Sequence, residues 1–287
     1  MDINIDHKIA VALRRIIMEN IPHYSFDNII INSNDTLLNN DHIKKRINTI
    51  PVENIYIDLK KLEKINDEDL FNNDIKDSNN QFDVLKIICS KKYDINNKNL
   101  LQSVSTNDCI FYLNEKKIKN PMKYNIKIVD FKYNTDSIDF IASTNIGIPM
   151  QNINYSISET VILIPTKKGN KLTIFPKSES ITSKIILQNA IYILKKKMDF
   201  FLKQLKNISD KKGKICICND VFTLGYLYSY LLNKEKEISF CSINIDTLIK
   251  KKSYLNFILK QNSKINIYDL IKNINSKVFK ELSTIKI

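Results

Sequence analysis

Apolar positions along the chain change period several times, and each change marks a new element. Residues 5–20 carry Ile9, Leu13, Ile16 and Ile17 at helical spacing, with Asp6 placed to cap the start and Pro22 to close the end. Residues 26–32 read as a buried strand around Ile29-Ile30-Ile31. Asn40 or Asp41 can cap a short helix bearing Ile43, Arg46 and Ile47, which stops before Pro51. The stretch 60–82 is polar, acidic and rich in Asn and Asp, which predicts a loop or insertion. Strands follow at 84–89, 109–113, 126–131, 138–144, 160–165 and 171–175, separated by turn pairs such as Asn114-Glu115 and Gly169-Asn170.

Residues 178–206 predict one long helix. Leu187, Ile191, Leu194, Met198, Phe201 and Leu205 alternate steps of four and three along it, a coiled-coil-like seam. A second long helix over 266–283 aligns Ile267, Ile271, Ile274, Val278 and Leu282. Between them lie a strand at 214–218, a helix capped by Thr223 and running to Leu232, and strands at 237–245 and 254–260. Two such seams in one chain can pack on each other. The later part therefore reads as a compact copy of the earlier one without its β-rich insertion.

Composition sharpens this in one respect. The 287 residues include 51 Ile, 41 Lys and 36 Asn against 3 Arg, 4 Gly, 6 Pro and no Trp. The abundant three have AT-rich codons, so Lys has replaced Arg wherever a plain positive charge suffices. Arg14, Arg15 and Arg46 become candidates for places that need a planar, five-donor fork. With 43% apolar and 26% charged residues the chain can bury a sizeable core, as two average domains or one large one. No apolar run approaches the ~20 residues of a membrane span, and the first residues lack the layout of a secretory signal. The expectation is an intracellular globular protein with no membrane partner.

Charge is unevenly spread within a net +13. Glu53 to Asp83 holds 9 acids against 4 Lys, whereas Lys195 to Ile287 holds 19 Lys against 8 acids. A basic last third suits nucleic acid or an acidic protein face. The plainer reading, Lys covering solvated faces, weighs more, because these Lys are not interleaved with aromatics in any known binding pattern. Five scattered Cys (89, 109, 216, 218 and 241) argue for reduced thiols. Cys216-Ile217-Cys218 lacks two further zinc ligands at suitable spacing and reads as small buried thiols. His7, His23 and His42 are not at metal-ligand spacing, and phosphate-cradling or nucleophile-elbow motifs are absent. No catalytic residue, metal or cofactor is expected.

Residues 12–52 read ALRRIIMENIPHYSFDNIIINSNDTLLNNDHIKKRINTIPV. Leu13-Arg14-Arg15, Glu19, Ile21-Pro22, the strand from Ile29 to Asn34, and Arg46 with Ile50-Pro51 stand at the spacing of one family. This resembles the third-largest subunit of eukaryotic RNA polymerase II and the archaeal D subunit, counterparts of bacterial alpha. Ser105-Thr106-Asn107-Asp108 is similar to the opening of that family's inserted domain, and the Gly147 region to its return. Asn219 to Leu227, with Thr223-Leu224-Gly225, resembles the small partner, the eleventh subunit or archaeal L. Thr223 can cap that helix, and Gly225 allows close packing in its first turn. Departures are Val11 where Asn is usual, Phe222 and Tyr226 in place of a His and an Asn, and Asp246-Thr247-Leu248 in place of a His-Pro pair. The family's leading strand has room for only five residues here, and the four-cysteine loop of some members is missing, so no cluster is expected.

The resemblance implies an α+β fold: two alpha-like dimerisation modules in one chain, a pseudo-dimer, with an inserted β-rich domain. Its divisions would be 1–52 and 166–210 for the first module, 53–165 for the insertion and 211–287 for the second module. It implies a non-catalytic assembly platform of a DNA-directed RNA polymerase, docking the second-largest and largest subunits and small subunits, with DNA contacted only through the complex. Leu13, Arg14, Arg15, Glu19, Pro22, Arg46, Pro51, Thr223, Leu224 and Gly225 would form the subunit interface. The two apolar seams would form the pseudo-dimer contact. Such fusions resemble those of large cytoplasmic DNA viruses, which implies the host cytoplasm and the virion as locations. The alternative is a free-standing basic nucleic-acid-binding protein.

Overall fold

The computed structural model describes every residue except 1, 74, 76–81, 97–101, 168, 206–210, 219, 221, 248–251 and 286–287, and not the side chains of 246 and 247. A two-residue strand, β1 (Asp2–Ile3), precedes α1 (His7–Glu19), so the leading strand does fit ahead of the helix. Asp6 caps α1 by accepting from Lys8 N at 2.8 Å, and Ile9, Leu13, Ile16 and Ile17 are wholly buried on one face. Each such burial contributes about 1.5–3 kcal/mol. Next come β2 (His23–Asn34) and α2 (Asn40–Asn48), then two short helices, α3 (Leu59–Leu62) and α4 (Asp67–Asn72). The loop expected over 60–82 is thus partly helical. Leu62, Ile65, Leu70 and Phe71 are buried, and the Phe71 ring lies 4.7 Å from that of Phe200. Residues 74 and 76–81 of that stretch lie outside the described residues.

The strand-rich stretch holds β3 (Leu85–Lys92), β4 (Gln102–Ser105), β5 (Ile110–Leu113), β6 (Lys116–Ile118), β7 (Lys127–Phe131) and β8 (Ser137–Gly147). Strands β4 and β6, too short for an alternation signal, were not expected. A hairpin follows, β9 (Ser158–Thr166) and β10 (Gly169–Pro176), then α5 (Ser183–Gln204). Helix α5 starts at Ser183 rather than 178 because Thr182 caps it, accepting from Ile185 N. The last part runs β11 (Lys212–Cys218), α6 (Leu224–Asn233), β12 (Ile238–Thr247), β13 (Lys252–Leu259) and α7 (Ile267–Ser283).

The described pairings are all antiparallel. Two three-stranded sheets have orders β1-β10-β9 and β11-β13-β12, a five-stranded sheet runs β2-β8-β3-β5-β6, and β4 pairs with β7. The first and second three-stranded sheets share one plan. In each, strand, helix, strand, strand, helix follow in that order, and the last strand lies between the other two. In the first unit, residues 20–157 are inserted after α1. Of the expected divisions, 165/166 passes through β9, and 52/53 separates β2 from the sheet it shares with β8 and β3. The architecture is α+β. Among the described residues no helix is long and apolar enough to cross a membrane.

Candidate functional site

The three arginines each grip a main-chain carbonyl on a different element. Arg14 Nε donates to Val161 O of β9 at 2.9 Å, within the first unit. Arg46 Nη1 donates to Ile128 O of β7 at 2.8 Å, tying α2 to the inserted region. Arg15 Nη1 donates to Phe222 O at 2.6 Å, and its guanidinium lies 5.7 Å over the Phe222 ring, joining α1 to the second unit. A guanidinium carries five donors, so one such bond leaves others to meet further acceptors.

Several other interface candidates lie inside the chain's own core. Leu13, Pro22, Thr223, Leu224 and Gly225 are buried. Glu19 and Pro51 are half-buried and Arg46 is exposed. Burial pushes the Glu19 carboxyl up, against the lowering charge of Arg15. Thr223 does not cap α6 with its side chain. Asp220 does that work, its Oδ1 accepting from Thr223 N at 3.0 Å and Leu224 N at 2.9 Å. At Gly225 an added Cβ would collide with Ile243 Cδ1, so the helix sits close on its sheet.

The two long helices meet through their apolar stripes. Leu187, Ile191, Leu194, Met198, Phe201 and Leu205 are buried on α5 and at its end, as are Ile267, Ile271, Ile274, Val278 and Leu282 on α7. A polar thread runs through this layer. Asn275 of α7 donates to Met198 O of α5 at 3.1 Å and accepts from Tyr228 OH of α6 at 2.8 Å. The Tyr228 ring packs 5.0 Å from Phe201, and burial raises the Tyr228 hydroxyl well above its usual range. Asn275 falls one helical turn after Ile271, so a polar residue on an apolar stripe was the available signal.

Sequence reasoning also missed a buried ion pair at the junction. Lys197 of α5 has a fully enclosed side chain, and its Nζ lies 3.3 Å from Asp220 Oδ2 and 2.8 Å from Asn73 Oδ1. Asn20, at the end of α1, donates to the same Asn73 oxygen at 2.8 Å. Four helices thus converge on one charge: α1, α4, α5 and α6. Its neighbours Lys195 and Lys196 mask Lys197 in the sequence, where nothing marks it as the buried one. A second bridge lies at the start of α1. Asp6 accepts from Lys234 Nζ at 2.8 Å and Tyr230 OH at 3.2 Å, while its N–H donates to Glu281 at 3.0 Å. Burial raises the Asp6 pKa, but the bonds from Lys234 and Lys8 N outweigh it and leave the carboxyl below its usual value. Among the described residues no three His, Cys, Asp or Glu gather where they could hold a metal.

Residues 2–198 match the family described as RNA polymerase Rpb3/Rpb11 dimerisation domain. The chain belongs to that family. It is therefore an assembly subunit of an RNA polymerase, a partner of other polymerase subunits. The matched stretch holds the whole first unit up to Met198 of α5, including its insertion, and stops short of the second unit. Comparison with curated proteins found no match. The likeness of the second unit to the family fold rests on its strand order and helix placement. Its motif residues Asn219 and Val221, and Leu248, lie outside the described residues.

Proposed function

We propose that this chain is a non-catalytic assembly platform that carries both halves of the polymerase dimerisation pair in one polypeptide. The supporting observation is the repeated unit. Two strand–helix–strand–strand–helix units with the same internal strand order pack through α5 and α7 and share the Lys197–Asp220 pair. In this reading the two units form an intramolecular pseudo-dimer, and fusion replaces a bimolecular association by one at high effective concentration. The half-buried Arg14 and Arg15, with donors to spare, would dock the second-largest subunit, and Arg46 would extend that face toward the inserted region. The largest and the small subunits would complete the assembly. The AT-rich composition supports a large cytoplasmic DNA virus as source, with the infected cytoplasm as site of action.

The test is affinity purification of the tagged chain followed by mass spectrometry. Two large polymerase subunits at equal stoichiometry are expected. Replacing Arg14 and Arg15 by Ala should lower recovery of the second-largest subunit while circular dichroism shows the helices intact. Undiminished recovery would remove these residues from the docking face.

A further inference from the structure

The outward face of the second unit's sheet carries chemistry that subunit docking leaves unused. Its inward face is filled by Ile215, Ile217, Cys241, Leu255, Phe257 and Leu259, all buried, with α6 packed near. Outward, the register lays three rows across the strands. Cys216, Tyr254 and Asn244 form one, Lys214, Asn256 and Ser242 the next, and Lys212, Ile258 and Phe240 the third. Lys252 on β13 faces the same way opposite Cys218. Cys216 is exposed and Cys218 only half-buried, which corrects the expectation of two buried thiols.

Two features of this face point to one ligand chemistry. Lysines line the edge strand β11, and none of the described outward side chains on the three strands is a carboxylate. Aromatic rings stand beside them on β13 and β12: Tyr254 half-buried, Phe240 50% exposed. The Lys214 ammonium lies 3.7 Å above the Tyr254 ring, a place that the flat face of a base can take while the lysine turns to a phosphate. Asn256 and Ser242, in the row between the two rings, and Asn244 beside Tyr254 supply donors and acceptors. Lys252 and Tyr254 are near neighbours on β13, but Lys212, Lys214 and Phe240 are distant from them in sequence. The pairing of three strands brings all five onto one face.

We infer that this sheet face binds single-stranded nucleic acid, with phosphates along Lys212, Lys214 and Lys252 and bases stacked on Tyr254 and Phe240. An unpaired strand can present bases flat to the sheet, which a duplex cannot without opening. An acidic protein segment would satisfy the lysines alone and leave the rings without a purpose.

The full-length chain would be titrated into labelled oligo-U, oligo-dT and a duplex, each of about 12 nucleotides. Both single strands should bind more tightly than the duplex, and their relative affinity assigns RNA or DNA as the source. The logarithmic salt slope should be about −2 for three neutralised phosphates. Tyr254→Ala should weaken binding about tenfold and Tyr254→Phe should restore it. Lys212→Glu with Lys214→Glu should cost at least as much and flatten the slope, whereas Lys272→Glu with Lys280→Glu, on the exposed face of α7, should change little. Thermal unfolding of each variant separates lost binding from lost folding. The proposal is overturned by no binding, equal duplex binding, an equal loss in the α7 control or an unaffected folded Tyr254→Ala. Competition by poly-Glu on par with oligo-U would assign the face to an acidic protein instead.

Discussion

The two repeated units solve one packing problem with very different chain economy. In the second, α6 returns to β12 through residues 234–237; in the first, α1 returns to β9 only after residues 20–157. Yet both sheets keep the last strand in the middle. The entropic difference of closing a loop of either length is roughly 3 kcal/mol, small enough for a folded insertion to offset. The insertion also ties its own ends. Met150 N donates to Glu19 O at 3.0 Å, and Tyr155 OH donates to Asp27 at 2.9 Å. The plan of the unit is thus set by its helices and sheet, while what passes between α1 and β9 is free to vary.

The comparison breaks most severely at the shared ion pair. Lys197→Met would leave the Asp220 carboxylate enclosed without its cation and should destabilise the chain by about 3–5 kcal/mol in urea unfolding. Lys197→Met with Asp220→Asn should recover most of that, because Asn can still accept from Thr223 N and Leu224 N. A double variant as unstable as the single would show that the pair does more than neutralise itself.

A close approach in each part comes next. Gly147→Ala sets a methyl 2.6 Å from the Tyr155 ring, which Asp27 holds by its hydroxyl, and should cost about 2–3 kcal/mol. Gly225→Ala meets chiefly the tip of Ile243, which can turn away, with Ser253 Oγ next at 3.3 Å, so about 1–2 kcal/mol is expected. Equal losses of thermal stability would mean the second unit is as rigid as the insertion.

Acid should separate the two parts further. Burial, helped by the nearby Lys177 charge, holds His23 down at about 3, while an unfolded His titrates near 6.5. Between those values the unfolded chain binds a proton that the folded chain refuses. Stability from this source is whole above pH ~6.5 and is lost as pH falls toward 3, by roughly 2 kcal/mol at pH 5. His23→Phe should flatten that slope in unfolding measured against pH. The second unit has no His, so hydrogen exchange in acid should quicken around β2 before it does around β13.

The smallest effect concerns the forks. Arg15→Lys and Arg14→Lys should each cost about 1 kcal/mol. Only the Arg15 change should loosen α1 from the second unit, as seen by exchange around Phe222.

Periodicity exposed what spans many residues: both long helices, their seams and most strands. It failed where a few residues depend on distant partners. The strand Asp2–Ile3 exists only because β10 lies beside it, and Leu70-Phe71 folds as helix because α5 covers it. Thr223 looked like a cap, but Asp220 lies nearer the open N–H groups of α6. The motif identified Arg14, Arg15 and Arg46 as unusual, and the structure shows what each grips. Lys197 had no signal, because a lysine's burial is decided by the carboxylate that comes to meet it.

The long insertion also sets a clock. At roughly 5–20 residues per second, a ribosome needs about 8–30 s to travel from the end of α1 to the end of β10. For that interval Ile9, Leu13, Ile16 and Ile17 wait without the hairpin that will cover them. The second unit closes within a few seconds of its helix emerging. Nascent-chain protection by chaperones should therefore fall on the first helix, long before the last residue is made.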